Sequence, residues 1–148
     1  MKQLFGTHEN RLDQKGRVSV PAAFRNAWKE LPEMTIVLRP SMIAGCVEGW
    51  PLPAYEKYQA ELAAMDEADP SRQGWATKIY SDAQELELDG QGRIMIPDNL
   101  VTEAGLSDAV CFLGRGSHFH IWEPAAAKAF LAATRALAPR LTFGAPSQ

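Results

Sequence analysis

Leu12-Asp13-Gln14-Lys15-Gly16-Arg17-Val18-Ser19-Val20-Pro21 returns 76 residues later as Leu88-Asp89-Gly90-Gln91-Gly92-Arg93-Ile94-Met95-Ile96-Pro97. Ten ungapped positions hold five identities and two Val/Ile exchanges, so the pattern L-D-x-x-G-R-[VI]-x-[VI]-P is an internal repeat. Each copy predicts a strand, a tight turn, a second strand and a short helix. Val18 and Val20 fall on one strand face, as do Ile94 and Ile96, because side chains alternate with period two. Gly16 and Gly92 supply the backbone freedom that a sharp hairpin turn needs. Asp13 and Asp89 are turn stabilisers, placed to accept bonds from amides two or more residues on. Pro21 and Pro97 end the strand and suit the first turn of a helix.

Working outward, Phe24, Ala27, Trp28 and Leu31 follow Pro21 at helical spacing, and Leu100, Val101 and Ala104 follow Pro97 more weakly. Each half then offers two more strands: Met34–Arg39 with Gly45–Trp50, and Ala109–Leu113 with Phe119–Trp122. Trp50 and Trp122 each precede a helix, the first striped by Tyr55, Tyr58, Leu62 and Met65, the second an alanine-rich run over Ala125–Leu137. Between the halves, Arg72–Ser81 predicts one helix leading into a strand at Glu85–Leu88, and Gly144–Gln148 reads as a loose tail. The units are residues 1–70, with the LDQKGR motif, and 71–148, with LDGQGR. Each is marginal for a core of its own and leaves open strand edges. The halves are therefore expected to close on each other into one compact, barrel-like domain with pseudo-twofold symmetry.

The chain has 148 residues, 46% hydrophobic and 22% charged, enough to bury a real core. A net charge of −3 excludes a uniformly basic nucleic-acid coat but leaves room for a basic face. Residues 1–40 carry seven basic and four acidic groups, net +3; the remainder carries eight and 14, net −6. Cys46 and Cys111 are too few for a disulfide framework and read as small buried hydrophobes. The opening residues reach polar positions at once, and no run of about 18 apolar residues occurs. A cytoplasmic location without membrane contact is expected.

The doubled motif, the Phe5-Gly6 before its first copy and the Trp-initiated helices resemble the MraZ family, within the AbrB/MazE-like swapped-hairpin regulators. The resemblance spans roughly residues 1–138. It implies a mainly β fold with short helices, a double-split β-barrel formed by two pseudo-symmetric AbrB-like halves. It also implies a DNA-binding transcriptional regulator that assembles into a ring. Such regulators read short direct repeats in double-stranded DNA upstream of the division and cell-wall gene cluster, often at their own promoter. The family's DNA-binding arginine falls on Arg17 and, in the second copy, on Arg93.

The residues themselves agree in kind. An arginine directly after a turn glycine carries a planar fork suited to guanine edges or phosphate. Lys15 and Gly16 share that tip, and Arg11 and Arg25 flank the motif as weaker candidates for backbone contact. The charge balance assigns the principal DNA face to the first half and packing to the second motif. An alternative stays open: Arg17 and Arg93 can each be held in a local ion pair with Asp13 and Asp89. His118 and His120 share a strand face but lack further ligands at metal-binding spacing, so surface or subunit-contact roles are expected and no metal. No nucleophile, P-loop or dinucleotide motif appears, so neither enzyme activity, cofactor nor small-molecule substrate is expected. A rival class is an antitoxin-like interaction module, which would carry one motif and a toxin-wrapping tail.

Overall fold

The computed structural model describes residues 2–30 and 35–138. Its strands are β1 (Thr7–Arg11), β2 (Arg17–Ser19), β3 (Thr35–Pro40), β4 (Val47–Pro51), β5 (Gln84–Glu87), β6 (Arg93–Met95), β7 (Ala109–Gly114) and β8 (Phe119–Trp122). Its helices are α1 (Ala22–Ala27), α2 (Leu52–Ala64), α3 (Pro70–Ala76), α4 (Asp98–Glu103) and α5 (Pro124–Ala136), with a π turn over Thr77–Ser81. The mainly β fold with short helices is as the sequence implies.

Strand pairing differs from a simple hairpin. β1 and β2, though joined by the first motif turn, share only an isolated bridge between Leu12 and Val18. β1 instead pairs with β7, and β2 with β6, both across the two halves. A three-residue strand that ends at a proline offers too short a ladder to hold a local hairpin. The sheet order is β1-β7-β8-β4-β3-β5, with β2-β6 as a separate ribbon. The six-stranded sheet stays open, with β1 and β5 at its edges, so its ladder does not form the closed barrel expected.

The sheet order is a palindrome of the repeat, because β1, β3 and β4 correspond to β5, β7 and β8. Val18 pairs with Ile94, its own repeat equivalent. In the sheet centre Glu48 pairs with His120, again equivalents, since Trp50 and Trp122 are matched. The pseudo-twofold axis therefore runs through both pairs.

Three layers result. On one side of the sheet, Val18, Val20, Ile94 and Ile96 pack with Phe24, Trp28 and Leu100 against Ile36, Leu38, Val110, Phe112 and Phe119, all buried. Pro21 and Pro97 precede α1 and α4 and turn the chain from ribbon to helix. α1 stops at Ala27, short of the expected stripe, and Leu31 and Met34 lie outside the described residues. On the other side, Tyr55 and Leu62 of α2 cover Val37 and Trp50, while Ala127, Phe130 and Leu131 of α5 cover Cys111, Leu113 and Trp122. Both cysteines are free and buried. The expected Arg72–Ser81 helix is two pieces, and it starts earlier because the Asp69 carboxylate accepts from the Ser71 amide ahead of Pro70 at the first turn. The tail at Gly144–Gln148 lies outside the described residues.

The far face of the sheet carries a buried polar network. Arg39 Nε donates to Glu48 Oε1 at 3.1 Å, and its NH1 to the Tyr55 hydroxyl at 3.3 Å. Tyr55 passes the bond on to the Ile79 carbonyl. Trp50 Nε1 and Ser41 Oγ also donate to Glu48, at 3.0 Å each. Burial raises the Glu48 carboxyl, but the Trp50 bond and the Arg39 charge outweigh it and leave it below the ordinary value. The second half solves the same position differently: Trp122 Nε1 donates to His120 Nδ1. His120 is buried, and His118 stacks flat on Trp50 with ring centres 4.0 Å apart. The histidines expected at the surface thus belong to the packing between α2 and α5. Their aromatic neighbours, not their polarity, decide this.

Two outcomes follow for stability. Arg39→Met strands a buried carboxylate and is expected to destabilise by about 3–5 kcal/mol in chemical denaturation, with Arg39→Met/Glu48→Gln recovering part of the loss. Burial also holds His118 and His120 down to about 4, from 6.5. A depressed histidine leaves the unfolded chain binding more protons in that interval. Their stabilisation is complete above about pH 6.5 and is lost as pH falls toward 4. Thermal melts across this range are expected to fall less steeply for His118→Gln/His120→Gln than for the wild type.

Candidate nucleic-acid interface

The two motif turns are built by the same bonds. Asp13 Oδ1 accepts from the amides of Lys15 (2.9 Å) and Arg17 (2.8 Å), and Asp89 Oδ1 from those of Gln91 (2.8 Å) and Arg93 (3.0 Å). Gly16 and Gly92 amides donate to the Asp13 and Asp89 carbonyls. The Arg17 amide is the main cause that holds the Asp13 carboxyl below its ordinary value, and the Arg93 amide that of Asp89. Gly16 has φ +86° and Gly92 φ +74°, left-handed conformations that a side chain resists. Space is closed too: a Cβ on Gly16 would lie 2.8 Å from the Ile96 carbonyl oxygen. The loops are locked to the ribbon by equivalent bonds, Ile96 N to Gly16 O (2.8 Å) and Val20 N to Gly92 O (3.0 Å).

The rigid ribbon aims the arginines. Val18 and Ile94 point into the core, so Arg17 and Ser19, and opposite them Met95 and Arg93, point outward. Arg17 and Arg93 therefore share one surface although 76 residues separate them. Each makes the ion pair that the sequence left open: Arg17 Nε to Asp13 Oδ2 at 2.7 Å and Arg93 Nε to Asp89 Oδ2 at 2.9 Å. The contact uses Nε and orients the guanidinium; the side chains remain 36% and 32% exposed. Local pairing and an outward role are thus compatible in one geometry.

The other basic residues separate. Lys15 is exposed at the first tip, and Arg11 is exposed on edge strand β1, immediately before that loop. Arg39, counted in the +3 of the first half, is buried in its ion pair and adds nothing to the surface field. Arg25 is exposed but does not flank the first tip: its guanidinium lies against Gly92 in the second loop, with Nε donating to the Val20 carbonyl at 3.0 Å. The strand register, not sequence proximity, decides this placement. His8 packs edge-on against Phe24. Among the described residues, no cluster of His, Cys, Asp or Glu could hold a metal ion, and no helix is long and apolar enough to cross a membrane.

A family model described as "MraZ protein, putative antitoxin-like" matches residues 4–75 and 79–138, both repeats. The chain belongs to the MraZ family. It is similar to the transcriptional regulator MraZ of Gluconacetobacter diazotrophicus, 40% identical over 98% of this chain and 94% of the relative. The protein so named from Gluconobacter oxydans is 42% identical over 86% of this chain and 79% of the relative. That of Rhodospirillum rubrum is 40% identical over 95% and 89%. These names agree with a regulator rather than an enzyme. In this MraZ chain the second half is folded from β5 through α5, unlike a toxin-wrapping tail.

The loop glycines make separable predictions. Gly16→Ala and Gly92→Ala are each expected to lower stability by about 1–3 kcal/mol in denaturant titration, through left-handed strain and the close neighbours. Gly90→Ala, with no atom within 4 Å of the added carbon, is expected to stay within about 0.5 kcal/mol of wild type.

Proposed function

We propose that this MraZ protein is a sequence-specific, DNA-binding transcriptional regulator whose reading surface is the outward face of the β2–β6 ribbon. The observation that carries this is the convergence of Arg17 and Arg93 on that one rigid face. A two-stranded ribbon fits the major groove, and an arginine fork matches guanine O6 and N7. The two arginines occupy registers two residues apart, about 7 Å along the strands at a rise of ~3.3 Å per residue. Lys15 and Arg11, with the amide of Gly16 at the tip, add contacts to the sugar-phosphate backbone. Asp13, Asp89 and Gly92 hold the loops in shape and do not themselves read bases.

The two ends of the ribbon are not equivalent. Lys15 is matched by Gln91, and Arg11 by Glu87, so the first end is the more basic. This difference gives the protomer a direction along DNA, which suits direct repeats. One protomer has few cations for an affinity that scales with phosphates neutralised. A ring-shaped homo-oligomer remedies this by engaging successive repeats about 34–36 Å apart. Linked binding of this kind adds on the order of 10²–10⁴ in affinity. Exposed Phe5, Ile43, Trp75, Tyr80 and Leu137 supply apolar surface for self-association. The target in this reading is a set of short repeats upstream of the division and cell-wall gene cluster, including the protein's own promoter. Its location is the cytoplasm, at the nucleoid.

A gel-shift titration on DNA from upstream of the gene, with a scrambled-repeat control, tests the proposal. Arg17→Ala is expected to abolish the specific shift while gel filtration shows an unchanged oligomer, since each bidentate base contact is worth ~1–3 kcal/mol. Arg93→Ala is expected to weaken it less. Equal binding by wild type and Arg17→Ala overturns the assignment.

A further inference from the structure

Arg25 is part of the first half by sequence and of the second loop by position. A Cβ built on Gly92 would lie 2.8 Å from Arg25 Cδ and 2.9 Å from its Nε and NH1, so the guanidinium rests directly on the loop backbone. Only a glycine permits this approach. The bond from Nε to the Val20 carbonyl fixes the side chain there while the residue stays exposed.

The pseudo-twofold axis shows what this contributes. By the repeat offset, Arg25 corresponds to Val101, which packs against the core. Lys15 corresponds to Gln91. The first loop thus has its own lysine and no helix cation, whereas the second has no loop lysine and receives a cation from helix α1. Counting only the loop pairs, Arg25 with Arg93 and Asp89 gives the second loop the one positive charge that Lys15 with Arg17 and Asp13 gives the first, while Arg11 and Glu87 keep the first end the more basic. A loop with only the Arg93–Asp89 pair, next to Glu87, would have no net attraction for phosphate.

We infer that Arg25 is a DNA-contacting residue of the second loop, a backbone-phosphate ligand that makes this loop a working second head of each protomer. The inference rests on the ribbon's role as the DNA-binding face. Its chemistry is that of a pre-positioned guanidinium beside a phosphate, with Nε held by the Val20 carbonyl and NH1 against the Gly92 backbone in a residue that stays exposed. It assigns the second motif to DNA as well as to packing.

The test is a binding titration of the full-length chain on the own-promoter duplex at several salt concentrations, with Arg25→Gln, Arg25→Lys and Lys128→Gln. Glutamine keeps an amide donor for the Val20 carbonyl and removes only the charge. Arg25→Gln is expected to weaken binding and to reduce the slope of log K against log salt by about one per engaged loop. Arg25→Lys is expected to keep the wild-type slope, and Lys128→Gln, on α5 across the sheet, to leave slope and affinity unchanged. An unchanged slope in Arg25→Gln, or equal losses in Arg25→Gln and Arg25→Lys with a lowered Tm, overturns the inference and leaves Arg25 a packing residue. Wild-type protein that binds neither the own-promoter duplex nor its scrambled-repeat control overturns the DNA-binding reading itself, and this inference with it.

Discussion

The pairing of each motif strand with its own repeat copy is the constraint on which the rest of the molecule depends. β2 and β6 are three residues long, and neither offers enough hydrogen bonds to stand alone. Joined at Val18 and Ile94, they present Val18, Val20, Ile94 and Ile96 as one apolar surface over the sheet. The same pairing points Arg17 and Arg93 to solvent, because alternation leaves the other face no choice. Core and proposed reading surface are therefore two faces of a single ladder. A one-residue slip would send the arginines into the core and the valines to water.

Local chemistry and long-range pairing divide the work at the loops. The Asp13 and Asp89 carboxylates satisfy the turn amides within five residues of chain, without help from the rest of the fold. The glycine carbonyls then accept bonds from the opposite half and stitch each loop to the ribbon. An arginine that leaves such a loop has little freedom at its base, and Nε is already tied. Less side-chain entropy is lost when its terminal nitrogens meet a partner. The exposed ion pairs add little stability by themselves; their effect is orientation.

Much of this is legible in the sequence because it is local or periodic. The L-D-x-x-G-R pattern announces the loops, and alternation announces which residues of the motif face inward. Pairing partners are another matter. Nothing within residues 12–21 says that Val18 meets Ile94 rather than closing a hairpin with Leu12, since that choice is made by apolar surfaces 76 residues apart. Two misreadings share this cause. Arg39 counts as a surface cation until β3 and β4 bring Glu48 beside it. Arg25 is a flanking residue of the first tip until the antiparallel ribbon carries α1 to the second. His118 and His120 read as polar residues on a strand, and only packing against Trp50, Trp122 and Phe130 shows His120 buried and His118 half-buried. Charge totals by sequence half are thus a poor guide to the field around a fold whose halves interleave.

Fusing two copies in one chain also explains how the centre of the sheet can be polar. Glu48 and His120 face each other on the pseudo-twofold axis. In a strictly symmetric pair of identical halves, the residue on that axis would meet itself. Two buried glutamates there would repel, and two buried arginines at the position of Arg39 would have to share the partners that remain. A single chain escapes the symmetry. One side holds an Arg39–Glu48 pair with Tyr55 and Ser41, and the other holds Leu113 and a neutral His120 bonded to Trp122. The same freedom operates at the two motif loops, where Lys15 stands against Gln91 and Arg25 against Val101. Symmetry sets the positions of the side chains, and departures from symmetry set their charges. In the proposed reading, a protomer built this way has two similar heads and a defined direction, which a symmetric dimer of one half could not have.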